Sequence, residues 1–158
     1  MQRSELARLV DHTILRPEAL AAEVEAVAGE ALAVGAASAC VSSSRVGLVA
    51  ARLRGSGVRT CTVVGFPSGA VPTEAKVAEV RQAAADGADE FDMVLDVGRL
   101  RDGDREAVAH DIAAVQVAVP DGALLKVILE TGALDEPQIR LGCLLARDAG
   151  AAFVKTST

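Results

Sequence analysis

The sequence predicts an α/β fold built from a repeating strand–helix unit, the arrangement of a (β/α)8 TIM barrel carried through about six units. Three observations lead there. Short, near-continuous apolar runs alternate with amphipathic stretches along all 158 residues. Several amphipathic stretches close on a glycine and a small residue before the next apolar run starts. The repeat length, about 20 to 35 residues, is what a crossover between parallel strands requires.

Taken in order, the strand candidates are Leu9–Ile14, Ala37–Val41, Val58–Gly65, Asp89–Leu95, Leu124–Leu129 and Ala152–Lys155. Most are apolar throughout, as strands covered on both faces must be. Between the first two, Leu20, Val24, Val27, Ala31 and Val34 step by three or four, the period of a helix with one buried face. Val108, Ile112, Val115 and Val119 repeat the pattern, and Val77, Val80 and Ala84 give a weaker version. Gly35-Ala36, Gly57-Val58, Gly87-Ala88 and Gly150-Ala151 punctuate the helix ends, where a left-handed residue closes the last turn. Pro17, Pro72 and Pro137 fall at or near helix starts, where a missing N–H costs least.

A doubly wound sheet is the competing α/β arrangement. It usually carries a glycine-rich phosphate loop after its first strand, and Asp11-His12-Thr13-Ile14-Leu15 contains no glycine. Eight barrel units typically occupy about 250 residues, so six fit this length. We therefore expect one domain over residues 1–158, an incomplete barrel lacking its last two strands.

Composition narrows the function. Hydrophobic residues make up 51%, with no Trp or Tyr and three Phe, so Ala, Val, Leu and Ile must build the core. A net charge of −6 with no basic run argues against nucleic acid or an anionic membrane as partner. Apolar runs are too short to span a bilayer, and Met1–Leu6 shows no secretory h-region. Cys40, Cys61 and Cys143 read as free thiols of a cytoplasmic protein. His12 and His110 stand far apart outside any metal-spaced motif, so no metal or other cofactor is expected.

The informative residues interrupt the apolar strands. Asp92 lies in Phe91-Asp92-Met93, Lys126 in Leu125-Lys126-Val127, and Lys155 closes Phe153-Val154-Lys155. An isolated buried charge is costly, so each must be paired, solvated or neutralised. Two ammoniums against one carboxylate leave an excess of positive charge, which favours a neutral, nucleophilic amine. Such an amine attacks carbonyls to form imines, and Asp92 can shuttle the protons. Asp11 and Thr13, at the end of the first strand, are pocket candidates, while Cys40 is a thiol on the wall. Ser42–Ser44 are expected to cap a helix, and Lys76 with Glu79 to form a solvated pair.

These stretches resemble the deoxyribose-phosphate aldolases, class I (Schiff-base) aldolases with the (β/α)8 fold. The match runs through Asp11-His12-Thr13-Ile14-Leu15-Arg16-Pro17, Val64-Gly65-Phe66-Pro67-Ser68-Gly69 with Lys76 and Glu79, and Gly87–Val94. It continues in Leu125–Thr131 and Phe153-Val154-Lys155-Thr156-Ser157-Thr158. The resemblance implies that Lys155 forms the Schiff base with acetaldehyde and that Asp92 is the proton donor and acceptor. Lys126, Asp11, Thr13, Cys40 and Thr156 would support the pocket. The implied reaction is reversible cleavage of 2-deoxy-D-ribose 5-phosphate to D-glyceraldehyde 3-phosphate and acetaldehyde, in a cytoplasmic and commonly dimeric protein.

The family's sequences continue beyond this motif with a glycine, a second catalytic lysine and a Gly-Gly phosphate loop. The expectation is therefore a C-terminally truncated aldolase of poor activity. The alternative is a non-catalytic barrel fragment that needs a partner chain or the missing segment.

Overall fold

The structure is a computed structural model and describes residues 2–158. All six predicted strands form, each trimmed by a residue or more: β1 (Asp11–Ile14), β2 (Ser38–Val41), β3 (Arg59–Val64), β4 (Glu90–Val94), β5 (Leu124–Ile128) and β6 (Phe153–Lys155). The strand order is β1-β2-β3-β4-β5-β6. The helices are α1 (Arg3–Ala7), α2 (Ala21–Val34), α3 (Val46–Leu53), α4 (Thr73–Ala85), α5 (Val97–Arg101), α6 (Arg105–Ala118) and α7 (Glu136–Asp148). The short helices α1 and α5 carry no apolar stripe in the sequence, and neither was expected.

The residues group into two compact units, one through Val63 with Ala83–Glu90, the other Val64–Gln82 with Phe91–Thr158. In the first unit β1, β2 and β3 are parallel, with Asp11 opposite Ser38 and Ser38 opposite Arg59. Its core is small-residue packing: Val24, Ala28 and Ala31 of α2, Val46, Val49 and Leu53 of α3, and Ala39, Cys40 and Val41 of β2 are all buried. The expected stripe on α2 is shifted, since Leu20 and Val34 are 66% and 47% exposed. The burial falls on Ala28, whose methyl group lets the helix lie close. At the end of α2, Gly35 adopts φ 67° and ψ 48°, and its N–H closes the last turn on Ala31 and Leu32. Ser42 precedes a 3-10 turn and makes no side-chain cap, and the residue at the N-terminal cap of α3 is Arg45 rather than a serine.

In the second unit β5 and β6 are parallel, pairing Lys126 with Phe153 and Ile128 with Lys155. Phe91, Met93, Leu95, Leu100, Ile112, Val115, Leu125 and Val127 form the buried core. Each buried aliphatic side chain is worth about 1.5–3 kcal/mol relative to exposure. Asp135 caps α7, its carboxylate accepting from Gln138 N at 2.9 Å, and Pro137 sits in the first turn as anticipated. Gly142 brings α7 against the core, because a Cβ there would sit 3.1 Å from Leu129 Cδ2. The loop after β3 closes equally tightly. Gly69 has φ 68°, and a Cβ on it would overlap Leu95 O. The last strand departs from expectation: Phe153 and Val154 are 57% and 45% exposed, since β6 stands at the end of the strand order.

Candidate active site

The second unit brings three of the predicted residues together. β4 delivers Asp92 into the core, with its side chain 1% exposed, and β5 delivers Lys126 at 8%. Within β5, Lys126 and Ile128 point to one face, and Ile128 pairs with Lys155, so the parallel register puts both lysines on the same side. The Asp92 carboxylate lies between them. Its Oδ1 is 3.3 Å from Lys126 Nζ, and its Oδ2 accepts a short hydrogen bond from Lys155 Nζ. Lys155 is the accessible member, its side chain 32% exposed. The cluster thus offers one amine to solvent, held by a buried carboxylate that a second ammonium also engages.

The backbone around Lys155 is held by the end of β5. Leu129 N donates to Lys155 O at 2.9 Å and Thr131 N donates to Thr156 O at 2.7 Å. Thr156 itself is exposed, so its contribution here is its carbonyl.

Asp11, Thr13 and Cys40 belong to the first unit, where Asp11 and Thr13 have local partners. Asp11 Oδ1 accepts from Ser38 Oγ at 2.8 Å, and Thr13 Oγ1 donates to Asp11 O at 2.8 Å. Cys40 is buried and, like Cys61 and Cys143, a free thiol. Asp11, Cys61 and Glu90 are the residues of that unit able to hold a metal, their donor atoms lying within 4.8 Å of one another. Asp11 is already bonded to Ser38, and Arg59 faces Glu90 at 3.7 Å. His12 pairs with Glu30 at 2.7 Å, and His110 is exposed on α6.

Lys76 corrects the expectation of a solvated pair. It is fully buried, and its Nζ donates to Asp111 Oδ2 at 2.6 Å and Val94 O at 3.1 Å. Asp111 also accepts from Thr73 Oγ1 at 2.8 Å. Glu79 instead accepts from Gly65 N at 2.8 Å. The Lys76 partner was missed, although its position carried a signal. Asp111 sits beside Ile112 and between Val108 and Val115, so it falls inside the apolar stripe of α6.

A family model described as DeoC/LacD family aldolase matches residues 6–158. Deoxyribose-phosphate aldolase 1 of Bacillus licheniformis is 51% identical over 154 residues, covering 98% of this chain and 69% of its own. A deoxyribose-phosphate aldolase of Clostridium perfringens is 50% identical over 158 residues, covering 100% of this chain and 70% of its own. Among solved structures, the tetrameric deoxyribose phosphate aldolase of Aeropyrum pernix superposes with a TM-score of 0.90 at 32% identity, over 99% of this chain and 65% of that one. The α/β architecture, with strands in sequential order and helices between them, is the one these aldolases share. With the match extending through the strands that carry Asp92, Lys126 and Lys155, the chain belongs to the DeoC/LacD family of aldolases.

Proposed function

We propose that this chain carries the Schiff-base chemistry of a deoxyribose-phosphate aldolase within one aldolase-type domain, with Lys155 as nucleophile and Asp92 as proton shuttle. The Lys155–Asp92–Lys126 cluster is the observation that carries the reading. With Lys126 protonated and Asp92 ionised, that pair is neutral, so a neutral amine at Lys155 leaves the trio charge-balanced with a lone pair available.

In the cleavage direction the Lys155 amine adds to the sugar's carbonyl carbon, and loss of water gives an iminium. Transfer of the C3 hydroxyl proton to the Asp92 carboxylate then breaks the carbon–carbon bond. Its electrons flow into the iminium, releasing glyceraldehyde 3-phosphate and leaving an enamine on Lys155. Asp92 returns a proton to the enamine carbon, and water hydrolyses the iminium to acetaldehyde and the free amine. Lys126 holds the Asp92 carboxylate in place through both proton transfers.

The substrates are then a small phosphorylated sugar and acetaldehyde, in the cytoplasm, with a homodimer as the working assembly and no nucleic acid. The net charge of −6 supports the last point. No helix among the described residues is long and apolar enough to cross a membrane.

Incubation with acetaldehyde and borohydride tests the chemistry. One reduced two-carbon group should appear on Lys155 by peptide mass spectrometry and be absent in Lys155→Ala. An unmodified Lys155 would sink catalytic competence for this chain.

A second reading is favoured by β6, where Phe153 and Val154 are exposed on a strand at the end of the order. Unpaired strand edges recruit further strands. The chain would then be a non-catalytic fragment completed by other polypeptide. Size-exclusion chromatography with urea unfolding tests this second reading, since a monomer that unfolds cooperatively contradicts obligatory completion.

A further inference from the structure

The residue that ends β5 is backbone-strained. Glu130 has φ 56° and ψ 58°, and it is the single non-glycine with positive φ among the described residues. A β-carbon in this region crowds the neighbouring carbonyl, so the conformation is usually left to glycine or asparagine. A glutamate persists there only where the surroundings over-determine it, and such residues gather at functional sites.

The side chain shows what the conformation is used for. The Glu130 carboxylate accepts from Thr158 N at 3.0 Å and from Thr158 Oγ1 at 2.7 Å. Its neighbours do similar work through the backbone, Leu129 N bonding Lys155 O and Thr131 N bonding Thr156 O. Residues 129, 130 and 131 therefore grip residues 155, 158 and 156 respectively. The left-handed residue makes this possible by turning the chain out of β5 into the 3-10 turn Thr131–Ala133, where Ala133 N donates to Glu130 O at 2.9 Å.

We propose that Glu130 is a positioning residue for Lys155: its carboxylate anchors the Thr156–Thr158 segment, so that the lysine stem leaves a fixed backbone and its Nζ stays on Asp92. The proposal rests on the amine chemistry read at Lys155 above. A lysine stem has four rotatable carbons and considerable rotamer freedom. Fixing the backbone on both sides of it narrows the volume that Nζ samples. Of the side chains described here, Glu130 grips the segment with an ionised acceptor, the stronger type of hydrogen bond.

The test compares the parent chain with Glu130→Gly and Glu130→Gln. Glycine removes the carboxylate yet suits the left-handed backbone, so the thermal midpoint should hold or rise. Amide exchange at Thr158, followed by NMR, should nevertheless quicken about tenfold, and borohydride trapping of acetaldehyde at Lys155 should slow about tenfold. Glutamine keeps an acceptor oxygen at the same reach and should restore most of both. Parent-like exchange and trapping in Glu130→Gly overturn the proposal. If the parent chain itself takes no adduct at Lys155, the amine reading fails separately. Exchange at Thr158 and Thr131 then decides the anchor, faster exchange in the glycine variant supporting it and unchanged exchange overturning it.

Discussion

Lys76 and Lys155 of the second unit are both held by carboxylates, and they differ in ways that separate a brace from a reactive group. Lys76 is completely buried, and Asp111 neutralises it one for one, with Val94 O taking another of its hydrogens. Lys155 is about a third exposed and shares Asp92 with Lys126, so two amines compete for one charge. A matched pair sealed from solvent has no lone pair to offer and no route for a substrate. A lysine open to solvent that shares its carboxylate with a second ammonium has both. Burying charge is costly either way, and the difference lies in whether the partners cancel it.

Asp92→Asn should split the two roles most widely. Loss of the shuttle should slow deuterium exchange into the methyl group of acetaldehyde by about 10²–10⁴-fold. Urea unfolding should shift less than for Lys76→Met, because the amide oxygen still accepts from Lys126 while the part-exposed Lys155 can turn its ammonium to solvent. An unchanged exchange rate would remove Asp92 from the mechanism.

Lys76→Met should do the reverse, leaving Asp111 buried beside an apolar side chain. Breaking a buried pair costs about 3–5 kcal/mol. Chemical denaturation should show that loss, and Lys76→Met with Asp111→Leu should recover much of it. A double variant as unstable as the single one would mean that packing rather than charge matching makes Lys76 necessary.

Lys126→Met sharpens the contrast directly, because it turns Lys155–Asp92 into a matched pair like Lys76–Asp111. With the amine held as an ammonium, the rate of adduct trapping at Lys155 should fall about tenfold, equivalent to about 1.4 kcal/mol. A faster rate would overturn the charge-matching argument.

The smallest effect belongs to the exposed helix pair Arg140–Glu136, bonded at 2.9 Å with both side chains over 70% exposed. Arg140→Ala should cost about 0.3–0.5 kcal/mol by urea unfolding and leave trapping unchanged.

The strands and helix ends were legible because their signals are local. A run such as Leu124–Leu129 declares itself by its own apolarity, and Gly35, Gly57, Gly87 and Gly150 all take the positive φ that their place after a helix suggested. The two longer amphipathic helices were also visible, although on α2 the buried face rotated toward Ala28, which hydrophobicity alone ranks below Leu20. Asp92 and Lys126 stood out because a charge inside an apolar run must be explained. Lys76 was misread because, on a helix near Glu79, it has the sequence appearance of a surface pair. Its partner lies 35 residues away. Glu130 left no sequence signal, since nothing about a glutamate announces a left-handed backbone.

By itself the sequence determined the βα repeat, the positions of the six strands and two of the charged residues buried in them, Asp92 and Lys126. Each of those follows from periodicity or from the cost of placing a charge among apolar neighbours, and both act over a few residues. Only the tertiary structure decided which charge meets which. It put Lys126 and Lys155 on one carboxylate, matched Lys76 to Asp111 and left Lys155 open to solvent. Ion pairing depends on distances of a few ångströms between residues far apart in the chain, and those distances exist only once the strands have found their register.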